Sequence, residues 1–342
     1  MFCRKTAYYL KAWIDLKKAR KTNVKVKALL VAAVLLILAN TVYSQTYTIS
    51  QTKTFLHKKI LLLKKVGSTE KNIILFKTPL RVNTDGSPMS YHPQDPLGST
   101  KALNNVCNAM AISRTGSTKN LCFSSFSEAI GIFKKFRDND WVVPQGFKIK
   151  FDNVIPAVKK DGRDIPCIFK SGEFEGYFGS LTALKNGLPA GQKGECEADD
   201  QINPLKIPAL VLVGGINPVK AFGARVGDLL VAFNPKTNLT MAAVIGDTGP
   251  PDNLGEGSVA LNMKLLGTTT APKKKSETFA LNIEGQGVLI AIIPASAGFK
   301  KTQSVYTLEN IADRVKMWQT DAGFSGPEKF VELMKKFKPN LN

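Results

Sequence analysis

The chain has 342 residues, 44% of them hydrophobic, and a formal net charge of +20. That length and apolar share exclude a disordered tail or a minimal module and allow one large domain or two small ones. The first 44 residues carry nine Lys/Arg and one Asp, so the remainder keeps 38 basic and 26 acidic side chains, about +12. Its Lys clusters are scattered rather than set among aromatics, and no nucleic-acid module is recognisable, so the excess reads as a solvated basic surface with no nucleic-acid partner.

Met1 to Lys27 is strongly basic, Ala28 to Ala39 is continuously apolar, and Thr41 to Ser44 ends in small residues. This order predicts a secretory signal over 1–44, cleaved after Ser44, and a secreted, periplasmic or cell-envelope protein. The apolar run falls short of a comfortable span of about 20 residues. The long basic region keeps an uncleaved anchor as the alternative, the one route to a membrane. Export implies an oxidising compartment, where Cys107, Cys122, Cys167 and Cys196 allow three pairings. With two His in the chain, His57 and His92, and no Cys-x-x-Cys, no metal and no cofactor are expected, and Ser-His-Asp chemistry has little to work with. Residues 45–71, rich in Thr and Lys, read as a linker or N-terminal arm.

Ile73 to Phe76 is the first expected strand. Asp85-Gly86-Ser87-Pro88 is a turn by its own chemistry, and Tyr91-His92-Pro93 follows. Apolar Phe126, Ile130 and Phe133 with Lys opposite predict a short helix over 124–136, capped by Ser125 or Ser127. Phe147 to Phe151 alternates as a half-buried strand. In Gly176-Tyr177-Phe178-Gly179-Ser180-Leu181-Thr182, strand alternation sends Tyr177 and Phe178 to opposite faces. Gly187 to Asn203 is an acidic loop. With Glu173 and Glu175, its Glu195, Glu197, Asp199 and Asp200 could line a groove. Ile207 to Gly215 is a fully apolar strand.

Val226 to Phe233 and Leu239 to Ile245 form a hairpin, with Asp228 at its base as a cap for backbone donors. At Gly246-Asp247-Thr248-Gly249-Pro250-Pro251 the chain is expected to leave the sheet. Glu256 stands between Gly255 and Gly257, and a helix over 258–266 follows with Ser258 as its N-cap. One loop thus presents Asp247 and Glu256 together, with glycines that would let a ligand approach the backbone. Paired carboxylates are what glycoside hydrolysis needs: one protonated for the leaving oxygen, one ionised to activate water or attack carbon. By spacing alone, an acidic surface loop or a cation-holding loop fits better. Lys-rich 268–278 is an exposed loop, 287–294 a last buried strand, and 308–318 and 327–337 are amphipathic helices, the second capped by Ser325 ahead of Pro327.

The segment Gly246-Asp247-Thr248-Gly249-Pro250, followed by Gly255-Glu256-Gly257-Ser258 and Ala260-Leu261, resembles the active-site segment of the fungal-type chitosanases, glycoside hydrolase family 75, and their bacterial relatives. Asp85-Gly86, Tyr91-His92-Pro93, Asn108-Ala109 and the Gly176 to Leu184 segment are similar to further family patterns. The resemblance implies an exported enzyme that cuts chitosan internally with inversion, with Asp247 and Glu256 as catalytic residues. It implies Asp85, Tyr91, His92, Tyr177, Thr182 and Thr248 as substrate-binding residues. Asn83 departs from an acid of the fungal pattern, and Ala209 stands where the family has Tyr.

The expected fold is mainly β: a six-stranded, double-psi-like β-barrel over 72–300 with peripheral helices, and a C-terminal helical tail over 301–342, most simply a monomer. Which acid donates the proton stays open, because burial decides it. Two alternatives stand beside the chitosanase reading. One is a non-catalytic cell-envelope glycan-binding protein on the same scaffold. The other is a hydrolase of a different glycan, perhaps anionic, which would suit the basic surface.

Overall fold

The computed structural model describes residues 47–151, 153–186 and 201–341. The expected signal segment over 1–44 and the acids Glu195, Glu197, Asp199 and Asp200 lie outside them. Twelve strands are present among the described residues: β1 (Tyr47–Phe55), β2 (Lys58–Lys65), β3 (Asn72–Asn83), β4 (Ala111–Arg114), β5 (Phe147–Lys150), β6 (Ala157–Lys160), β7 (Arg163–Pro166), β8 (Ala209–Leu212), β9 (Leu229–Asn234), β10 (Leu239–Thr248), β11 (Glu256–Ser258) and β12 (Ile283–Ile292).

Six of them close into a barrel in the order β3-β11-β8-β10-β9-β12 and back to β3. The β3/β11 and β8/β10 pairs are parallel and the other four antiparallel, so the ring is mixed. Strand alternation sorts its side chains into two cores. Leu210, Leu212, Leu230, Ile245, Ile290 and Ile292 fill the ring. Leu229, Val231, Val244, Leu289 and Ala291 lie on the other face, where Ile311, Trp318, Phe330 and Met334 of the tail cover them. The tail helices span Leu308–Asp321 and Pro327–Phe337. Thr307 and Asn310 form a capping box on the first. The second starts from Gly326 without a side-chain cap, so the expected Ser325 cap is replaced by Pro327 with its preset φ at the first turn.

The expected linker over 45–71 is instead a hairpin. β1 pairs antiparallel with β2, and β2 pairs with the first half of β3. The Thr and Lys content of β1 belongs to a solvated face, for seven of its nine residues are exposed. Ile60, Leu61, Leu62 and Leu63 of β2 are buried on both faces, each side chain worth about 1.5–3 kcal/mol. Leu56 and His57 make the two-residue turn with φ of 48° and 59°, both left-handed as a type I′ turn requires. The hairpin is tied to the tail by the stacked rings of Tyr47 and Phe324, 5.8 Å apart, and by Lys65 Nζ donating to the Ala322 carbonyl at 3.0 Å.

Between β3 and β8 the chain builds a third, smaller core around the helix Phe126–Asp138, with Tyr91, Phe133, Phe136, Phe151 and Phe178. A Cys107–Cys122 disulfide pins two of its segments. Ser125 occupies the helix N-cap position but makes no side-chain bond there. Among the described residues, no helix is long and apolar enough to cross a membrane.

Candidate active site

The strand expected to end at Ile245 continues to Thr248. Gly246 is accommodated as a bulge: Ile245 faces Leu210 and Asp247 faces Val211, two steps on β10 against one on β8. A Cβ at Gly246 would stand 2.8 Å from the Ala209 Cβ, and its carbonyl accepts from the Leu184 N–H at 2.9 Å. Glu256 opens β11 and pairs with Val211 on one side and Arg81 on the other. Asp247 and Glu256 therefore flank the same residue of β8, from opposite sides and on one face of the sheet.

The glycines here serve packing between chain segments rather than ligand approach. Gly255 has a φ of 101°, and a Cβ on it would meet the Pro79 carbonyl oxygen at 2.2 Å. A Cβ on Gly257 would meet Asn262 Oδ1 at 2.6 Å. Both let β11 press against β3. Ser258 then caps the helix Val259–Leu266: its Oγ accepts from the Leu261 N–H at 3.1 Å and the Ala209 N–H at 2.9 Å, and donates to the Ile207 carbonyl at 2.8 Å. One hydroxyl joins β8, β11 and the helix.

A third carboxylate completes the cluster. β3 ends at Asn83, beside β11, and the turn that follows brings Asp85 to the pair. Asn83 Oδ1 accepts from the Asp85 N–H at 2.8 Å, which places the Asn83 amide beside both carboxylates. Tyr91, fully buried, donates from its hydroxyl to Asp85 Oδ1, and Asn108 Nδ2 donates to that hydroxyl at 2.7 Å. Burial raises the Asp85 carboxyl to about 7, helped by the charges of Asp247 and Glu256 and opposed by Tyr91 and Asn83. Burial likewise raises Asp247 to about 6, against the pull of the Ala183 and Thr248 N–H groups and of Lys185. Both N–H groups reach Oδ1, at 2.9 and 2.8 Å. Glu256 is pushed up by burial, with Asn83, Asn253 and Arg81 opposing. Three acids that each resist ionisation, within reach of one another, can divide proton donor and acceptor roles near neutral pH.

The residues expected to touch substrate divide. Asp85 and Thr248 belong to the cluster, Thr248 exposed and held to Asp247 by its backbone. Tyr91 is sealed in the third core with its hydroxyl on Asp85 and Asn108, so it is a support, not a sugar contact. Thr182 is also buried: its hydroxyl donates to the Leu184 carbonyl at 2.8 Å and accepts from the Ile202 N–H at 3.1 Å. Its work is to lock the segment that supplies the Ala183 N–H. Tyr177 and Phe178 alternate as expected, Phe178 fully buried and Tyr177 half-open. The Tyr177 ring meets His92 edge-on at 4.7 Å, and His92 Nδ1 accepts from the Gln94 N–H at 3.0 Å. Beside them Asp95 gathers the N–H groups of Ser99, Thr100, Lys101 and Ala102 at 2.7–3.1 Å. Burial works against its charge, yet those four donors hold it down at about 2. Asp228 caps the Arg225, Ser296 and Ala297 N–H groups, as its position predicts. Glu173 and Glu175 are exposed, and no contact joins them to the cluster among the described residues.

Sequence reasoning missed Asn253, whose amide donates to Glu256 and which has no local signal, and it noted Asn108 only within the family-like Asn108-Ala109 pair, without its supporting part. No group of His, Cys, Asp and Glu among the described residues is arranged to hold a metal ion. A scan against protein-family models matches none, and a search of curated proteins finds no relative.

Proposed function

We propose that this protein is an exported glycoside hydrolase that cuts β-1,4-linked glucosamine polymer within the chain, with inversion, using Asp247 and Glu256 as its acid and base. The observation that carries the reading is their shared neighbour. Both flank Val211 across one strand, on one face. Two interstrand steps set their Cα atoms about 10 Å apart. Carboxyls carried at that spacing can sit within the roughly 6.5–9.5 Å that leaves room for a water, more than the 5 Å of a covalent mechanism. Both resist ionisation, so one can keep a proton near neutrality. The sequence resemblance supplies the substrate class.

A binding protein without turnover is the second reading. It is favoured by Ala209, too small to give the groove an aromatic, and by Arg81 and Lys185 beside the carboxylates, which repel a polycationic glycan. Reducing-end release from chitosan, chitin and peptidoglycan separates the readings. The hydrolase releases ends from chitosan, and Asp247→Asn and Glu256→Gln each abolish this while folding normally. Release from peptidoglycan alone would point to an anionic glycan, and release from none to binding.

A further inference from the structure

We propose that the cavity between the loop after β12 and the first tail helix binds a phosphate monoester, with Arg314, Lys301 and Lys300 as its contacts. The inference goes beyond the hydrolase reading and does not depend on it.

The cavity holds about 250 Å³, at the small end for a ligand pocket. No residue of the carboxylate cluster lines it. Arg314 lines it from the helix and is 5% exposed. A guanidinium so far removed from water is costly unless hydrogen bonds and an opposite charge replace the water. Its Nε donates to the Phe299 carbonyl at 2.9 Å, and its Nη2 to the Ser296 and Ala297 carbonyls at 3.0 and 2.8 Å. Those bonds fix the fork in one pose but supply dipoles, not charge. Nη1 donates to no group among the described residues, and no carboxylate there pairs with the guanidinium. Nη1 is therefore the donor left for a ligand, on a side chain already ordered.

Lys301 is also placed in advance. Its Nζ donates to the Tyr306 hydroxyl at 3.2 Å and lies 4.4 Å from the centre of that buried ring. Lys300 precedes it with a φ of 46°, a left-handed backbone that a residue with a Cβ adopts at a cost, and both lysines line the cavity. Two turns further along the helix, Lys71, with weaker help from Lys300 and Lys65, holds the exposed Asp321 below the usual carboxylate range. The positive field thus extends across this face.

The charges choose the ligand. Three cations against Asp313, the one acid of the lining, leave +2. A phosphate monoester carries about −1.5 to −2 near neutral pH and presents three acceptor oxygens, enough for one guanidinium and two ammonium donors. A carboxylate offers half that charge and two oxygens. Asp313 is exposed and forms no ion pair with the three cations among the described residues, so it weakens the site without closing it. Val305 and Met317 give the group that carries the phosphate an apolar edge to lie against.

Isothermal titration calorimetry of the full chain with glucose 6-phosphate tests this, with glucose, glucuronate and inorganic phosphate as controls. At about pH 7.5 and low salt, glucose 6-phosphate should bind with a Kd under about 1 mM, and glucose should not bind. Glucuronate and inorganic phosphate should each bind at least about 3-fold more weakly, one for its lower charge and one because it leaves Val305 and Met317 uncovered. Arg314→Gln gives up three carbonyl bonds and can unfold, so exposed positions carry the test. The double change Lys300→Gln and Lys301→Gln should weaken binding about 10-fold or more with the circular dichroism spectrum unchanged. Asp313→Asn should tighten it about 2–5-fold. No heat from glucose 6-phosphate, or an affinity unmoved by both variants, overturns the site. Equal binding of glucuronate overturns the choice of phosphate, and equal binding of inorganic phosphate overturns the ester.

Discussion

Asp85→Asn isolates the electrostatic penalty of the cluster. The amide keeps the size of the side chain and the oxygen that Tyr91 donates to, and removes only the charge. In the folded protein the carboxyl is raised from 3.8 to about 7, first by burial. Three units at 1.36 kcal/mol each is about 4 kcal/mol. Asp85 stays partly open to solvent, and screening reduces this to about 2 kcal/mol. The sign follows from proton counting. The unfolded chain releases this proton near pH 4 and the folded protein near 7, so between them the folded state binds more protons. Wild-type stability therefore falls as pH rises through that window and stays low above it. The variant should match wild type at pH 4 and exceed it by about 2 kcal/mol at pH 8. At about 2–4 °C per kcal/mol for a domain of this size, Tm rises by about 4–8 °C. Thermal unfolding by circular dichroism at pH 4, 6 and 8 measures this. An equal gain at every pH, or a loss at pH 8, would refute the reasoning.

Two further perturbations probe the scaffold. Replacing Cys107 and Cys122 by Ser opens a link of sequence separation 15 and should remove about 3 kcal/mol, read from the urea midpoint; an unchanged midpoint would mean the third core holds those segments without it. Gly255→Ala places a Cβ against the Pro79 carbonyl at a φ of 101° and should cost at least about 2 kcal/mol while displacing Glu256, so the urea midpoint and reducing-end release should fall together. A wild-type value in both would contradict the close packing of β11 on β3.

What sequence reveals here is what neighbours along the chain decide. The Ser258 cap and the spans of both tail helices follow from apolar period and capping chemistry and lie where expected, while the strand before Asp247 begins where its apolar pattern places it but runs on through Gly246 to Thr248. Asp247 and Glu256 were visible as a pair because they are nine positions apart. By its own chemistry Asp85 reads as a turn residue, and only the resemblance sets it among the substrate-binding residues, because its place beside the pair depends on β3 pairing with β11, about 175 residues away, which no local pattern encodes. Gly255 and Gly257 suggest space for a ligand, but β3 and Asn262 take that space, which only the strand register reveals. The hairpin was hidden for a different reason. β1 buries almost nothing of its own, so its strand character comes from its backbone pairing with β2.

β3 carries the most demanding connection. Both of its ring partners, β11 and β12, lie about 175 and 200 positions downstream, so the ring cannot close until both are made. During synthesis, then, the first strands must wait with unsatisfied edges while nearly everything else emerges. Such long-range pairing makes for slow folding, and the waiting edge invites association between nascent chains. The hairpin on β3 shields one flank of that strand in the interval, giving the amino-terminal segment a part in assembly as well as in the finished molecule.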